Sequence, residues 1–212
     1  MKLYLNSIKQ LQTFFLGISI LLMLTLPLVL SLRPDSLSNA SMLLLYAVSH
    51  WAVFFVMFIR PLADILSEVK WIRPLVILRK GVGVLSAAIV VSIIFSKLII
   101  DPSGYLSAFG TVRYWSLSNF ALLAHLADIS AILLLITSNN LSKRLLGTVW
   151  KKIQKLSYVF FYTSSLYVFF SFGDTSMLVS MSIITTVTLI AFIKNLYRVP
   201  VVPANTLKTI AI

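Results

Sequence analysis

Hydrophobic positions in this chain come in long blocks, with little of the alternation that marks a half-buried strand or a surface helix. A helix needs roughly 20 mostly apolar residues to cross a bilayer core. Six blocks reach or approach that length: 11–32, 40–59, 83–100, 117–137, 156–172 and 177–192. Each predicts a spanning helix. Arg33-Pro34-Asp35-Ser36 predicts a turn after the first block, and Gly173-Asp174 a tight one before the last. Asp101-Pro102-Ser103-Gly104 closes the third and opens a loop as far as Trp115. The first block lacks a small-x-small cleavage site and is long enough to span, so it reads as a retained helix, not a signal peptide. The pattern predicts an all-α, polytopic membrane helical bundle of about six transmembrane helices. Its parts are an N-terminus at 1–10, a transmembrane domain at 11–197, and a tail at 198–212. Pro200 and Pro203 make the tail extended and extramembranous.

Composition agrees. Hydrophobic residues make up 59% of the 212, and only 11% are charged, against about 25% in a soluble domain. Cysteine is absent, which excludes disulfides, thiolate metal sites and iron–sulfur clusters. The net charge of +12 would suit a nucleic-acid binder, but the positions point elsewhere. Of the 18 Lys and Arg, only Arg33, Lys97 and Arg113 fall at one end of the predicted bundle; the other 15 fall at the opposite end. The positive-inside rule puts that basic end, with both termini, in the cytoplasm: N-in/C-in. Trp71, Trp115 and Trp150 stand at block ends, where an indole prefers the interface. The paired Gly/Pro interruptions of many transporter folds are missing. Gly81-Val82-Gly83 has neither a third glycine nor a preceding strand, so it reads as close packing or an accommodating turn, not a nucleotide loop.

Chemistry-bearing residues inside the blocks are few. His50 and His125 each stand about ten residues from a block end, which at 1.5 Å per residue places both about 15 Å deep. Two imidazoles at one depth could clamp a planar cofactor, or each could hydrogen-bond a neighbouring helix. Asp128, three residues after His125, shares its helix face. An intramembrane carboxylate is costly and is either functional or structurally paired. Asn119, Ser130, Thr163, Ser164, Ser165, Thr185, Thr186 and Thr188 read as helix-bridging or backbone-bonded hydroxyls and amides. The aromatic run Tyr158, Phe160, Phe161, Tyr162, Tyr167, Phe169 and Phe170 reads as packing, or as the lining of a pigment, quinone or lipid cleft. The basic segment 143–155 could dock a partner or bind anionic lipid.

Four segments carry a family resemblance: Arg60-Pro61-Leu62; Leu78-Arg79-Lys80-Gly81-Val82-Gly83; Ile136-Thr137-Ser138-Asn139; and the run from Leu146-Gly147 through Trp150 and Gln154 to Tyr158. In this order they resemble the ferric-reductase-like transmembrane family. The likeness is closest to the haem-binding membrane subunits of methionine-sulfoxide reductase systems (the MsrQ/YedZ group), and it covers about 41–172. The resemblance implies b-type haem held between helices by pairs of histidines. The positions it assigns to those ligands hold Ile93, Gln154 and Tyr167. Isoleucine cannot ligate iron, glutamine is not an ordinary axial ligand, and tyrosine would lack a partner.

The expectation is therefore a ferric-reductase-like bundle without its haems, serving as a non-catalytic subunit or scaffold of a membrane complex. It would have no catalytic residues, no metal site and no cofactor. The alternative is a b-type haem transmembrane electron-transfer subunit with rearranged ligands, His50 and His125, fed by a separate reductase or quinone donor. The tail is too short to fold into a flavin or nicotinamide domain. Expected partners are the lipid bilayer and other membrane protein subunits, not nucleic acid. The expected location is a bacterial inner (plasma) membrane.

Overall fold

A computed structural model describes residues 2–32, 39–117 and 120–197. The turn expected at 33–36, Asn119, and the tail with Pro200 and Pro203 lie outside the described residues, as do Arg33, Arg198, Lys208 and the side chain of Arg113. Of the described residues 88% are helical, and none is in a strand.

Helix α1 (Lys2–Leu32) starts nine residues ahead of its apolar block. Nothing in 2–10 breaks a helix, and this start is anchored. Ile8 is buried with Leu78 and Val82, and the Tyr4 hydroxyl donates to the Trp71 carbonyl at 2.9 Å. Helix α2 (Asn39–Ile65) continues through Pro61. Proline has no N–H to give and crowds the preceding turn. Arg79 Nε donates to the Val56 carbonyl, five residues before the proline, at 2.9 Å. A short α3 (Ile72–Leu75) leads into α4 (Leu78–Ile100).

The segment after α4 is more ordered than a loop. The Asp101 carboxylate caps α5 (Pro102–Ala108) by accepting from the Gly104 N–H at 2.8 Å, with proline in the first turn. A 3-10 turn follows at Val112–Trp115. Helix α6 (Ala121–Thr137) then starts four residues later than its block. Asn139 caps α7 (Asn140–Ile153), accepting from the Ser142 N–H at 2.7 Å. Helix α8 (Leu156–Phe172) ends at Gly173, whose φ of 70° suits a residue without Cβ. Helix α9 (Ser176–Leu196) completes the chain described.

Four stretches are long and apolar enough to cross a membrane: 2–32, 40–65, 72–100 and 176–196. A fifth arises if α6 and α7, bent by 116°, count as one span. The expectation of about six is thus met only in part. Helices α6 and α8 have 17 residues each, about 26 Å at 1.5 Å per residue, just under the roughly 30 Å hydrocarbon core. Leu24, Leu28, Leu189 and Phe192 are exposed along the outer faces, an apolar exterior that suits an integral membrane protein.

Helix α4 is central. It packs along α1 most extensively, then against α2 and α6, while α6 packs on α8, and α9 on α2 and α8. At Gly81 the approach to α1 is so close that an added Cβ would lie 2.9 Å from the Gln12 carbonyl oxygen. The close-packing reading of this glycine holds. Gly83 is ordinary, with 3.6 Å to Val56. The bundle centre is one cluster shared by Val53 and Met57 of α2, Ala87 and Val91 of α4, Ala127 and Ala131 of α6, Phe160 and Phe161 of α8, and Ile184 of α9.

Candidate functional site

Polar chemistry gathers at the end opposite the basic one, where α5 packs on α4 and the 3-10 turn packs on α6. The Tyr114 ring stacks on His125, with centroids 3.4 Å apart and planes within 6°. Trp115 meets the same imidazole edge-on at 6.0 Å, and its indole N–H is fixed by the Phe109 carbonyl at 2.9 Å. His125 Nδ1 is buried with no hydrogen-bond partner. Tyr105 and Tyr114 share a hydroxyl hydrogen bond. Burial raises both phenols above the ordinary tyrosine range, Tyr114 furthest, and their mutual proximity raises Tyr114 further.

Asp128 lies one turn below His125, half-buried. The cation acting on it is Lys97 of α4, and it in turn acts on Tyr46 of α2, Tyr105 and Tyr114. So the expected His125–Asp128 face exists, but the two side chains look to different partners. Lys97 also lines an open groove of 260 Å³ with Ile100, Asp101 and Tyr105. The arrangement can shelter a carboxylate among phenols and one ammonium group close to the membrane surface.

His50 belongs to a different place. Its Nε2 pairs with the Ser180 hydroxyl of α9 at 3.3 Å, and its ring stacks on Phe161 at 5.8 Å. Asp174, in the α8–α9 turn, is within electrostatic reach. The Ser176 hydroxyl and backbone N–H hold the Asp174 carboxyl below the usual carboxylate range. The two histidines differ in their place along their helices, His50 standing eleven residues into α2. His125 is only four residues into α6, about 6 Å along the axis, because α6 begins after the cap and not at Trp115. The space between α2 and α6 is bounded by α4 and α8 and filled by the central cluster. The fully buried Phe161 (0% exposed) fills it beside His50.

A comparison against protein-family models, characterised proteins and solved structures finds no match for the chain.

The three positions assigned to haem ligands are likewise dispersed. Ile93 is buried in the α1–α4 seam with Leu26, Leu30, Leu85 and Ile89. Gln154 caps α7 and donates from Nε2 to the Thr137 hydroxyl at 3.3 Å. Tyr167, on the outer half of α8, meets Phe172 edge-on. A bis-axial haem needs two donors facing one another across a single plane. Neither these three nor the His50–His125 pair supply that, so the residues do not fit the group. Among the described residues no cluster of three or more His, Asp or Glu could hold a metal ion.

The hydroxyls anticipated as helix-bridging or backbone-bonded act so in most cases. Thr163 and Ser165 bond carbonyls four residues back, and Thr185 joins the Tyr162 hydroxyl at 2.7 Å. Thr188 is an exception, its buried hydroxyl unpartnered. Sequence reasoning missed Tyr46, Tyr105 and Tyr114, which lie outside the residues singled out. It also missed the reciprocal pair Ser49–Ser86: the Ser86 hydroxyl donates to the Ser49 carbonyl at 2.8 Å, and the two hydroxyls meet at 3.0 Å.

Proposed function

We propose that this chain is a six-span integral membrane protein that keeps a ferric-reductase-like bundle without haem and acts as a non-catalytic subunit of a membrane complex. Both termini would lie on the basic, cytoplasmic side. The six spans are α1, α2, α4, α6, α8 and α9, with α6 and α8 at the short end of the usual range. Charge asymmetry supports the orientation. Placement in a bacterial plasma membrane rests on the family resemblance alone.

One observation carries the haem-free reading. The middle of the helix ring is occupied by protein, with Phe161 and Met57 fully buried where a cofactor between helices would sit. His50 and His125 are turned to separate local partners. The subunit role draws support from α9. It presents Ser182 and Thr186 on a surface otherwise made of Ile183, Leu189 and Ile190, and hydroxyls on an outward helix face are groups that membrane helices offer one another.

The test is a visible spectrum of the detergent-purified chain, together with its migration on a native gel after mild extraction. The expected results are no stoichiometric Soret band and migration in a larger assembly. A stoichiometric Soret band would overturn the haem-free reading. If His50→Ala or His125→Ala then abolished it, the chain would be a b-type haem electron-transfer subunit instead. Migration as a lone monomer would count against the subunit role.

A further inference from the structure

We infer that α7 is an in-plane amphipathic helix that binds the headgroups of anionic phospholipids at the basic end. The bend of 116° from α6 turns α7 across the end of the bundle. Its fixed side is polar and local: the Trp150 indole N–H donates to the Thr137 carbonyl at 2.9 Å, and Gln154 reaches the Thr137 hydroxyl. Apart from α6, no helix packs appreciably on it.

The free side has two features that belong together. Leu141 and Leu145, one turn apart ahead of a backbone break at Gly147 (φ 50°, ψ −119°), and Val149 just after it are 67%, 76% and 49% exposed. Beside them Lys143, Arg144, Lys151, Lys152 and Lys155 are all exposed, and no acidic residue occurs between Asn139 and Asp174. Five cations without an acid would be costly in hydrocarbon, so α7 does not extend α6 as a span. Aliphatics this exposed on the two short turns either side of Gly147 would be unfavourable in water. The interface satisfies both, with leucines in the acyl boundary and cations on phosphates. The occupant is thus lipid with a net negative headgroup. A zwitterionic headgroup would set an ammonium against the five cations.

This inference rests on the membrane-spanning reading, which is checked separately by whether the reconstituted chain resists carbonate extraction. The chain has no cysteine, so Leu145→Cys can carry a single bimane label. The labelled full chain is placed in vesicles of phosphatidylcholine with one-third phosphatidylglycerol, with one or the other lipid brominated in its acyl chains. Brominated phosphatidylglycerol should quench severalfold more, mole for mole, because each basic residue near the surface favours an anionic headgroup by about fivefold. The advantage should shrink as salt rises from 0.1 to 1 M and the screening length falls from about 10 to about 3 Å. It should also fall toward parity in Arg144→Gln/Lys151→Gln/Lys152→Gln. The salt dependence is read on the chain with all five cations in place, independently of how that variant inserts. Equal quenching by both lipids at low salt would overturn it. So would no quenching by either, which would place Leu145 in water or against another protein.

Discussion

Replacing Gly81 with alanine sets two effects of known size against each other. Alanine favours a helix over glycine by up to about 1 kcal/mol, and less here, because Gly81 lies in the first turn of α4. Against this, the new Cβ would sit 2.9 Å from the Gln12 carbonyl oxygen and 3.2 Å from Phe15 Cβ. Both belong to rigid parts of α1, so relief requires the helices to part by about 0.5 Å. That shift cannot stay local. Further along the same seam Leu26, Leu30, Leu85, Ile89 and Ile93 interlock, and Ser92 reaches the Leu22 carbonyl at 3.4 Å. Overpacking of this kind costs about 1–3 kcal/mol, so the net expectation is a loss of about 1–2 kcal/mol, roughly a tenfold shift in the unfolding equilibrium. Gly83→Ala is the matched control. Its Cβ would meet Val56 at 3.6 Å, an ordinary contact, so the variant should be neutral or more stable by up to about 1 kcal/mol. Reversible unfolding of both variants in mixed micelles, followed by tryptophan fluorescence, measures the difference. If Gly81→Ala proves as stable as Gly83→Ala, the close α1–α4 approach is not what demands glycine there.

Two other expectations follow from the polar contacts. A double-mutant cycle with Ser49→Ala and Ser86→Ala should show coupling of about 0.6 kcal/mol, and at most about 1.7, from the hydroxyl–hydroxyl contact; additive losses would mean that this contact contributes nothing to α2–α4 association, the bonds to the two carbonyls being lost one in each single variant. Tyr114 has its folded pKa raised above the ordinary value, chiefly by burial, so its contribution to stability is intact below about pH 10 and is lost as pH rises through the folded value. Absorbance at 295 nm should therefore show a late-ionising tyrosine that disappears in Tyr114→Phe, and a late class unchanged by that substitution would refute the assignment.

Hydropathy located the helices well because an apolar block is what a lipid core demands, but it was a poor guide to their ends. Backbone hydrogen bonding continues wherever nothing breaks it. Hence α1 runs back to Lys2 and α4 to Leu78 through basic turns that carry no apolar signal. Asp101-Pro102-Ser103-Gly104 looked like a loop opening, yet an acidic cap followed by proline in the first turn is also how a helix starts, and α5 starts there. The same ambiguity hid α7 inside a basic segment whose cap is Asn139. At the polar cap, Asp128 was legible because a carboxylate is conspicuous in an apolar run. Tyr114 was not, because an irregular segment, not a helical period, brings it onto His125. Ser49 and Ser86 could not be told apart in sequence from Ser92 or Ser165, which bond their own helix.

The residues that carry the family resemblance have a mechanical role in this molecule. Arg79 ties the start of α4 to the Val56 carbonyl of α2, and Lys80 reaches the Asn140 side chain beside the Asn139 cap. Gly81 lets α1 lie against α4, and Trp150 with Gln154 clasps Thr137. All of them join helix ends on the basic side, and a bundle of this connectivity would need such joints whether or not it held iron. The ligand positions are different in kind, because coordination asks for nitrogen donors converging on a plane. Here one of them is an aliphatic residue committed to the α1–α4 seam. The joints and the cofactor are therefore separable properties of one scaffold. On the proposed haem-free reading, aromatic residues such as Phe161, fully buried in the central cluster, occupy the volume that a cofactor between the helices would need.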